Sequence, residues 1–318
     1  MPSAAARVDV AGRLLILCPG QGAQHPGMFD MARADPAAAV LLDACFADAA
    51  LAPVLTGVAD GASLFANRVA QPAIVAATLA MWAALRETVP APALVAGYSI
   101  GELAAYGVAG ALAPIDAVRL AAERAGLMDA CLDTGAAQGM VAVSGIPLEA
   151  IEVLLQRFGF FPAIVTGEDA LVAGGPAAAR EALALAAADA GARATVLPVE
   201  VASHTPLLQG AVAPFAGLLA RQAWSAPVCP VLSGISAEKV DNAGLATRVL
   251  SRQLAEPIRW MDCMDAAGEA GVTVALELGP GAAMSRMLQA RNPGIACRSV
   301  TEFRSFDGIR SWLGRRLE

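Results

Sequence analysis

Short apolar runs that end at glycine-bearing loops recur along this chain. Residues 13–18 form a first run, which stops at the loop 19–22, and residues 94–97 form a second run, which stops at the tight segment 98–102. A short apolar run bounded by glycine predicts a buried strand that enters a loop. The alanine-rich residues 103–109 then predict a helix directly after the second strand. This alternation predicts an α/β fold with a parallel sheet.

The order of predicted strands and helices changes between residues 135 and 198. The order there is strand, helix, strand, strand, helix, strand, over residues 139–144, 147–158, 162–166, 170–173, 176–190 and 194–198. This order matches the split βαβ arrangement of a ferredoxin-like unit. Strand-like runs resume at residues 228–232 and 272–278. We therefore expect a large α/β domain made of residues 1–134 and 199–318, with a ferredoxin-like α+β subdomain, residues 135–198, inserted into it.

Composition and charge narrow the class of protein. Apolar residues make up 57% of the chain and charged residues 16%, which indicates a globular protein and not a disordered one. The net charge of −7 argues against a nucleic-acid-binding protein, which would carry a basic surface. The longest uncharged apolar stretch near the middle, residues 103–115, is too short to span a membrane, and the first residues lack a signal-sequence pattern. We expect a cytoplasmic protein that binds neither nucleic acid nor membrane.

The cysteines carry no recognisable chemistry. The chain has six of them, and they are scattered without any Cys-x-x-Cys pair. Neither a disulfide framework nor a zinc site is therefore predicted, and no metal is expected.

The segment Gly97-Tyr98-Ser99-Ile100-Gly101 fits the Gly-x-Ser-x-Gly pattern of a nucleophile elbow. In that turn the two glycines let a strand and a helix approach closely, and the serine hydroxyl is exposed at the bend. The predicted strand before it and the predicted helix after it provide the required context. Glu102 follows in the first helical turn, where its acidic side chain could serve either the helix dipole or the chemistry.

A serine nucleophile needs a general base, which is most often histidine. The chain contains only two histidines, His25 in the loop after the first strand and His204 just after the last strand of the inserted unit. Each is more commonly structural, but if Ser99 is a nucleophile, one of them should be its partner. The chain order argues against an ordinary α/β-hydrolase, in which an acidic residue follows the serine and the histidine comes late.

These residues resemble a known family, the malonyl-coenzyme A:acyl carrier protein transacylases and the acyltransferase domains of polyketide synthases. The motifs that carry the resemblance occur in the family's order over nearly the whole chain: Gly20-Gln21-Gly22-Ala23-Gln24 with Gly27-Met28, Gly97-Tyr98-Ser99-Ile100-Gly101-Glu102, Glu123-Arg124-Ala125-Gly126-Leu127-Met128, Ser203-His204, Arg252-Gln253-Leu254 and Glu277-Leu278-Gly279-Pro280-Gly281. The resemblance implies an α/β-hydrolase-like large domain with a ferredoxin-like insertion.

The resemblance also implies roles for individual residues. Ser99 would be the nucleophile and His204 its general base, and the backbone amides of Gln21 and Ile100 would form the oxyanion hole. Arg124 would bind the free carboxylate of a malonyl group, since a planar guanidinium can donate two parallel hydrogen bonds to it.

The main chain of Gln253 would orient His204, so a change of its side chain is expected to have little effect. Taken alone, Arg124 fits a solvated helical residue as well, and Gln21 fits a simple loop residue.

Tyr98 departs from the family pattern, which usually has histidine before the nucleophile. A tyrosine there resembles the transacylase subunit of biotin-independent malonate decarboxylases, which loads malonyl onto a carrier subunit with a coenzyme A-derived arm. The resemblance therefore implies a malonyl transferase that acts on malonyl-coenzyme A and an acyl carrier protein with a phosphopantetheine-type arm, without a bound cofactor. The alternatives are a transacylase of fatty acid or polyketide synthesis, a serine thioesterase or hydrolase, and a scaffold without catalytic activity.

Overall fold

The computed structural model describes residues 12–61, 63–132 and 136–317. The predicted domain boundary at residues 134 and 135, and the predicted ends of the large domain at residues 1 and 318, lie outside these ranges. The strands are β1 (Leu14–Cys18), β2 (Leu94–Gly97), β3 (Gln138–Ser144), β4 (Phe161–Gly167), β5 (Ala170–Pro176), β6 (Arg193–Leu197), β7 (Val231–Leu232), β8 (Lys239–Val240), β9 (Ile258–Arg259), β10 (Val274–Glu277) and β11 (Ala296–Ser299).

The α-helices of the described residues lie between and around these strands. They are α1 (Asp30–Arg33), α2 (Pro36–Ala47), α3 (Ala52–Thr56), α4 (Asn67–Leu85), α5 (Ile100–Val108), α6 (Pro114–Leu132), α7 (Leu148–Phe158), α8 (Arg180–Asp189), α9 (Gln209–Ala220), α10 (Ala243–Arg252), α11 (Trp260–Glu269), α12 (Ala283–Arg291) and α13 (Phe306–Leu317).

The larger sheet has six strands in the order β11-β10-β1-β2-β7-β8. All neighbours are parallel except β7 and β8, which are antiparallel. Every residue of β1 and β2 is buried, as expected for central strands that are covered on both faces. Cys18 pairs with Gly97 at the ends of these strands. Because the carboxyl ends of parallel strands lie at one edge, the loop after β1 and the turn after β2 are neighbours there.

The second sheet has five strands in the order β6-β3-β5-β4-β9. Its first four strands pair antiparallel and, with α7 and α8, follow the predicted order strand, helix, strand, strand, helix, strand. The fifth strand, β9, lies outside the predicted insertion and pairs in parallel with β4 through Ile164 and Ile258. It covers what would otherwise be an unpaired sheet edge. The predicted fold class, a large α/β domain with a parallel sheet and a ferredoxin-like subdomain, is confirmed.

Helix α4 bears on the expectation that the sequence contains no segment able to span a membrane. It is long and apolar enough to cross a bilayer by length and composition, whereas the sequence was expected to contain no such window. In the fold, 83% of its most apolar 18-residue window is buried inside the protein. Helices α2 and α6 pack against it, so α4 has the environment of a core helix.

The two sheets share an apolar cluster. Leu17 and Ala96 contribute to it from the large sheet, Met140 and Ile164 contribute from the second sheet, and Trp260 fills the space at the start of α11. This contact brings the end of β6 and the chain that follows it close to the edge where β1 and β2 end.

Candidate active site

Ser99 occupies a sharp bend between β2 and α5. Its backbone has φ 56° and ψ −119°, a conformation that costs energy for a residue with a Cβ atom. A Cβ added to Gly97 would lie 2.2 Å from the Glu102 amide nitrogen, and one added to Gly101 would lie 2.0 Å from the Cys18 carbonyl oxygen. The turn therefore closes only because both positions are glycine.

The loop after β1 packs against this bend. The Tyr98 amide donates to the Cys18 carbonyl over 3.0 Å, and a Cβ on Gly20 would lie 2.7 Å from the Tyr98 carbonyl oxygen. Gln21 follows Gly20 in this loop, and Ile100 is the first residue of α5. The amide of a first helical residue has no acceptor within its helix, and the helix dipole favours negative charge there. The structure thus places Gln21 in a loop beside the turn and Ile100 within the turn.

His204 is hydrogen-bonded to Ser99. Its Nε2 atom lies 2.7 Å from Ser99 Oγ, and its Nδ1 atom lies 2.6 Å from the Gln253 carbonyl oxygen. Since a carbonyl oxygen can only accept, Nδ1 carries the proton and Nε2 presents its lone pair to the serine hydroxyl. The His204 amide also donates to the Leu254 carbonyl over 2.9 Å. The other histidine, His25, is exposed and makes no hydrogen bond to Ser99 among the described contacts.

The surroundings of His204 keep its imidazole neutral. Burial lowers its pKa to about 3, with a further contribution from the charge of Arg124, while the hydrogen bond to Gln253 opposes the shift. The side chain is fully buried. A neutral imidazole next to the hydroxyl is the state required of a general base.

Arg124 projects from α6 and is 2% exposed. Its Nη1 donates to Gln71 Oε1 over 2.7 Å, and its Nη2 donates to Gln253 Oε1 over 3.3 Å. In the parts of the chain that the structure describes, no carboxylate lies within ion-pair distance of it. Burial lowers its pKa to about 10, and the charge of Glu102 opposes that shift. A buried cation bonded only to neutral amides is suited to receive an anion.

Glu102 and the side chain of Gln253 belong to the same buried network. Glu102 Oε2 accepts from the Gly234 amide over 2.9 Å and from Gln253 Nε2 over 2.5 Å. Burial raises the pKa of Glu102 to about 7, although both hydrogen bonds oppose the shift. The sequence leaves the role of Glu102 open between the helix dipole and the chemistry, and it predicts little effect of the Gln253 side chain. Gln71 was not among the predicted site residues, although a polar side chain in the mostly apolar helix α4 is a signal that could have identified it.

Tyr98 faces the second sheet and not the buried network. Its ring packs edge to face on Trp260, with 5.3 Å between the centroids, and it contacts the apolar cluster shared by the sheets. Burial raises the pKa of its hydroxyl. Tyr98, the residue before Ser99, is therefore held in place by aromatic and apolar packing.

These contacts define a serine–histidine site at the edge of an α/β core. The profile of the acyl transferase domain family matches residues 16–299. The curated malonyl CoA-acyl carrier protein transacylase of Mycobacterium tuberculosis is 35% identical over 292 residues, which cover 90% of this chain and 96% of that protein. The chain therefore belongs to the acyl transferase domain family.

Solved structures agree with this assignment. The crystal structure of MCAT from Mycobacterium tuberculosis has a TM-score of 0.87 at 33% identity and covers 94% of this chain and 99% of that chain. A malonyl-transacylase solved in complex with a type II polyketide synthase acyl-carrier protein has a TM-score of 0.85 at 27% identity, covering 96% and 99% respectively.

Replacing Gly101 by alanine should disrupt the turn at Ser99. The added Cβ would collide with the Cys18 main chain, so we expect a loss of about 1–3 kcal/mol in the free energy of unfolding and slower labelling of Ser99 by a sulfonyl fluoride. Gly126→Ala in α6 is the matched control, because its Cβ would meet no atom closer than 3.9 Å. Denaturant unfolding and mass spectrometry measure both quantities. A Gly101→Ala protein that is labelled at the wild-type rate would contradict the predicted requirement.

The low pKa of His204 predicts how the reactivity of Ser99 depends on pH. The base is active when neutral, and a lowered pKa keeps it neutral further into the acid range. We expect the labelling rate to stay level between about pH 7.5 and 5.5, whereas a histidine with the usual pKa of about 6.5 would lose about tenfold. His25→Gln should give the same profile. A midpoint near pH 6.5 in the wild type would show that His204 is not held neutral.

Proposed function

We propose that this chain transfers a malonyl group from coenzyme A to the thiol of an acyl carrier protein through an ester on Ser99. The observation that carries the proposal is the pairing of two features in one site. Ser99 is 2.7 Å from a neutral histidine nitrogen, and Arg124 is buried beside that histidine without a carboxylate partner among the described residues. The names of the relatives reported above support the same donor and acceptor.

The first half-reaction acylates Ser99. His204 Nε2 accepts the hydroxyl proton while Ser99 Oγ attacks the thioester carbonyl carbon. The backbone amides of Gln21 and Ile100 stabilise the negative oxygen of the tetrahedral intermediate, and each such donor typically contributes roughly 10²- to 10³-fold in rate. The carbon–sulfur bond then breaks, and His204 returns the proton to the coenzyme A sulfur.

The second half-reaction uses the same groups in the reverse direction. The thiol of the carrier's phosphopantetheine-type arm gives its proton to His204, and its sulfur attacks the malonyl ester. The bond to Ser99 Oγ breaks, and the oxygen regains the proton. Only these side chains and main-chain amides are needed, so no cofactor enters the proposed reaction.

Arg124 supplies the preference for malonyl. Two of its N–H groups bond the amide oxygens of Gln71 and Gln253, and no acceptor among the described residues occupies the others. A malonyl carboxylate can accept two of those donors at once, whereas an acetyl group has nothing to place there. Gln253 contributes its carbonyl oxygen to His204, as a supporting residue.

We propose the division of the chain that the sequence analysis expected, a catalytic domain of residues 1–134 and 199–318 with a small subdomain of residues 135–198. The ferredoxin-like pairing of β3 to β6 supports it. The pairing of β9 with β4 means that the small sheet continues into the large domain. A cytoplasmic location is proposed from the coenzyme A donor.

Intact-protein mass spectrometry tests the malonyl transfer. Wild-type protein mixed with malonyl-coenzyme A should gain a malonyl adduct on Ser99, with little adduct from acetyl-coenzyme A and none on Ser99→Ala. Arg124→Ala should slow malonyl loading by about 100-fold, because two charge-assisted hydrogen bonds are lost. Arg119→Ala is the control, since Arg119 lies on the same helix but is half exposed and paired with Asp48. A malonyl adduct that water removes faster than any carrier does would point to a thioesterase instead.

We further propose that the acceptor is the carrier subunit of a malonate decarboxylase. Tyr98 supports this choice, because it stands where the family usually has histidine. In this structure its ring packs on Trp260. The alternative is the carrier of fatty acid or polyketide synthesis, as the relatives' names suggest.

Purified carriers distinguish these acceptors. We expect the malonyl-Ser99 ester to be discharged faster by a carrier with the coenzyme A-derived arm of malonate decarboxylases than by a fatty acid carrier, measured by the appearance of malonyl-carrier. Tyr98→His should reduce that preference, and Tyr98→Phe, which retains the ring, serves as the control. A faster reaction of the wild type with the fatty acid carrier would overturn the choice of acceptor without affecting the malonyl transfer.

A further inference from the structure

The buried amide of Gln253 connects two charged groups of opposite sign. Its Oε1 accepts from Arg124 Nη2, and its Nε2 donates to Glu102 Oε2. Gln253 is 1% exposed and Glu102 is 0% exposed, so water does not compete for these bonds. The chain of contacts continues from Arg124 to Gln71, which is also fully buried.

Glu102 determines which way this amide is turned. Glu102 Oε2 also accepts from the Gly234 amide, so it presents an acceptor to Gln253, and the NH₂ end of Gln253 must face it. The carbonyl end must then face Arg124, which only donates. A reversed amide would set two donors against each other at the guanidinium and two acceptors against each other at the carboxylate. Glu102 and Arg124 therefore require the same orientation of the Gln253 amide.

The main chain of Gln253 does not depend on this contact. Its amide donates to the Val249 carbonyl over 2.9 Å at the end of α10, and its carbonyl oxygen accepts from His204 Nδ1. The main chain thus serves the Ser99–His204 pair, while the side chain serves Arg124. A change confined to the side-chain network should affect the carboxylate site more than the nucleophile.

The hydrogen bonding of the buried Glu102 carboxylate is incomplete, which a purely structural role does not explain. Its Oε1 has no hydrogen-bond partner among the described residues. A buried carboxylate with one unsatisfied oxygen costs stability, and a neutral residue of the same shape would cost less. If Glu102 only supported the fold, glutamine would serve there at least as well.

We propose that Glu102 is a positioning residue that fixes the Gln253 amide, and through it the Arg124 guanidinium, so that the site selects acyl groups that carry a carboxylate. This inference rests on the proposed malonyl transfer. The Glu102 carboxylate makes no hydrogen bond to Ser99 among the described contacts, although the Glu102 main-chain amide donates to the Ser99 carbonyl over 3.0 Å, so its side chain would act through Gln253.

Glu102→Gln tests the inference through a ratio of two rates. One rate is kcat/KM for malonyl loading from malonyl-coenzyme A, and the other is the labelling of Ser99 by phenylmethylsulfonyl fluoride, which is neutral and does not need Arg124. We expect the ratio to fall by about 10- to 100-fold, the effect of weakening one hydrogen bond to a charged group. General damage to the fold would lower both rates together and leave the ratio unchanged.

Glu277→Gln is the matched control for a buried carboxylate. Glu277 is 1% exposed and accepts from the amide and hydroxyl of Ser285, and it makes no hydrogen bond or ion pair to Arg124 among the described contacts. This variant should keep the wild-type ratio, whatever its effect on stability. A fall in the ratio as large as that of Glu102→Gln would overturn the inference, because it would show that loss of any buried carboxylate is enough.

Gln253→Met provides a second variant if Glu102→Gln does not fold. It keeps the main-chain contact to His204 and removes both side-chain bonds, so we expect the same fall in the ratio. An unchanged ratio in either folded variant overturns the inference while wild-type malonyl loading stands. If the wild-type protein itself forms no malonyl ester, the proposed function fails first, and that result is distinguishable because it involves no variant.

Discussion

The hydrogen bond between Ser99 and His204 joins two residues that both have left-handed backbone conformations, with φ 56° and φ 65°. Each such conformation costs on the order of 1–3 kcal/mol for a residue with a side chain, so the surrounding structure must enforce it. At Ser99 the enforcement comes from the close approach of β2, α5 and the Cys18 carbonyl, which only glycines at 97 and 101 permit. At His204 it comes from the consecutive carbonyl oxygens of Gln253 and Leu254, which accept from the ring and from the main chain.

Near the Ser99–His204 pair, the buried charged groups of Arg124 and Glu102 are connected through a side-chain amide. Arg124 and Glu102 do not form a direct ion pair, and Gln253 lies between them. A direct pair would neutralise the guanidinium and remove its capacity for the substrate carboxylate that we propose it binds. Neutral amide oxygens orient the cation without cancelling its charge, so the site is organised before a ligand arrives.

The sequence predicted the parts of this arrangement that leave a local pattern. Ser99 lies in a glycine-bounded motif between a strand and a helix, and the scarcity of histidine left His25 and His204 as candidate bases, between which the family resemblance chose His204. The alternation of residues 139–198 predicted the four antiparallel strands. Strand β9 has only two residues, too few for any periodicity, and its partner β4 lies about a hundred residues earlier. Helix α4 contains Pro72 and Arg68, which obscured its length as an apolar segment.

The buried network could not be predicted in the same way because its meaning lies in contacts between distant segments. Glu102 in a first helical turn has a sufficient local explanation, and nothing in residues 100–108 indicates that its partner is Gln253, 151 positions away. Gln253 shows the difference most clearly, since its main chain and its side chain serve different groups. A motif match assigns one role to a position, whereas the fold brings both ends of this residue into use. Tyr98 shows the same limit, because its partner Trp260 is also distant in the sequence. This packing connects the residue beside Ser99 to α11, the helix that follows β9. The residue before Ser99 is therefore held by aromatic packing against α11, whereas Ser99 itself is held through the main chain of β2 and α5.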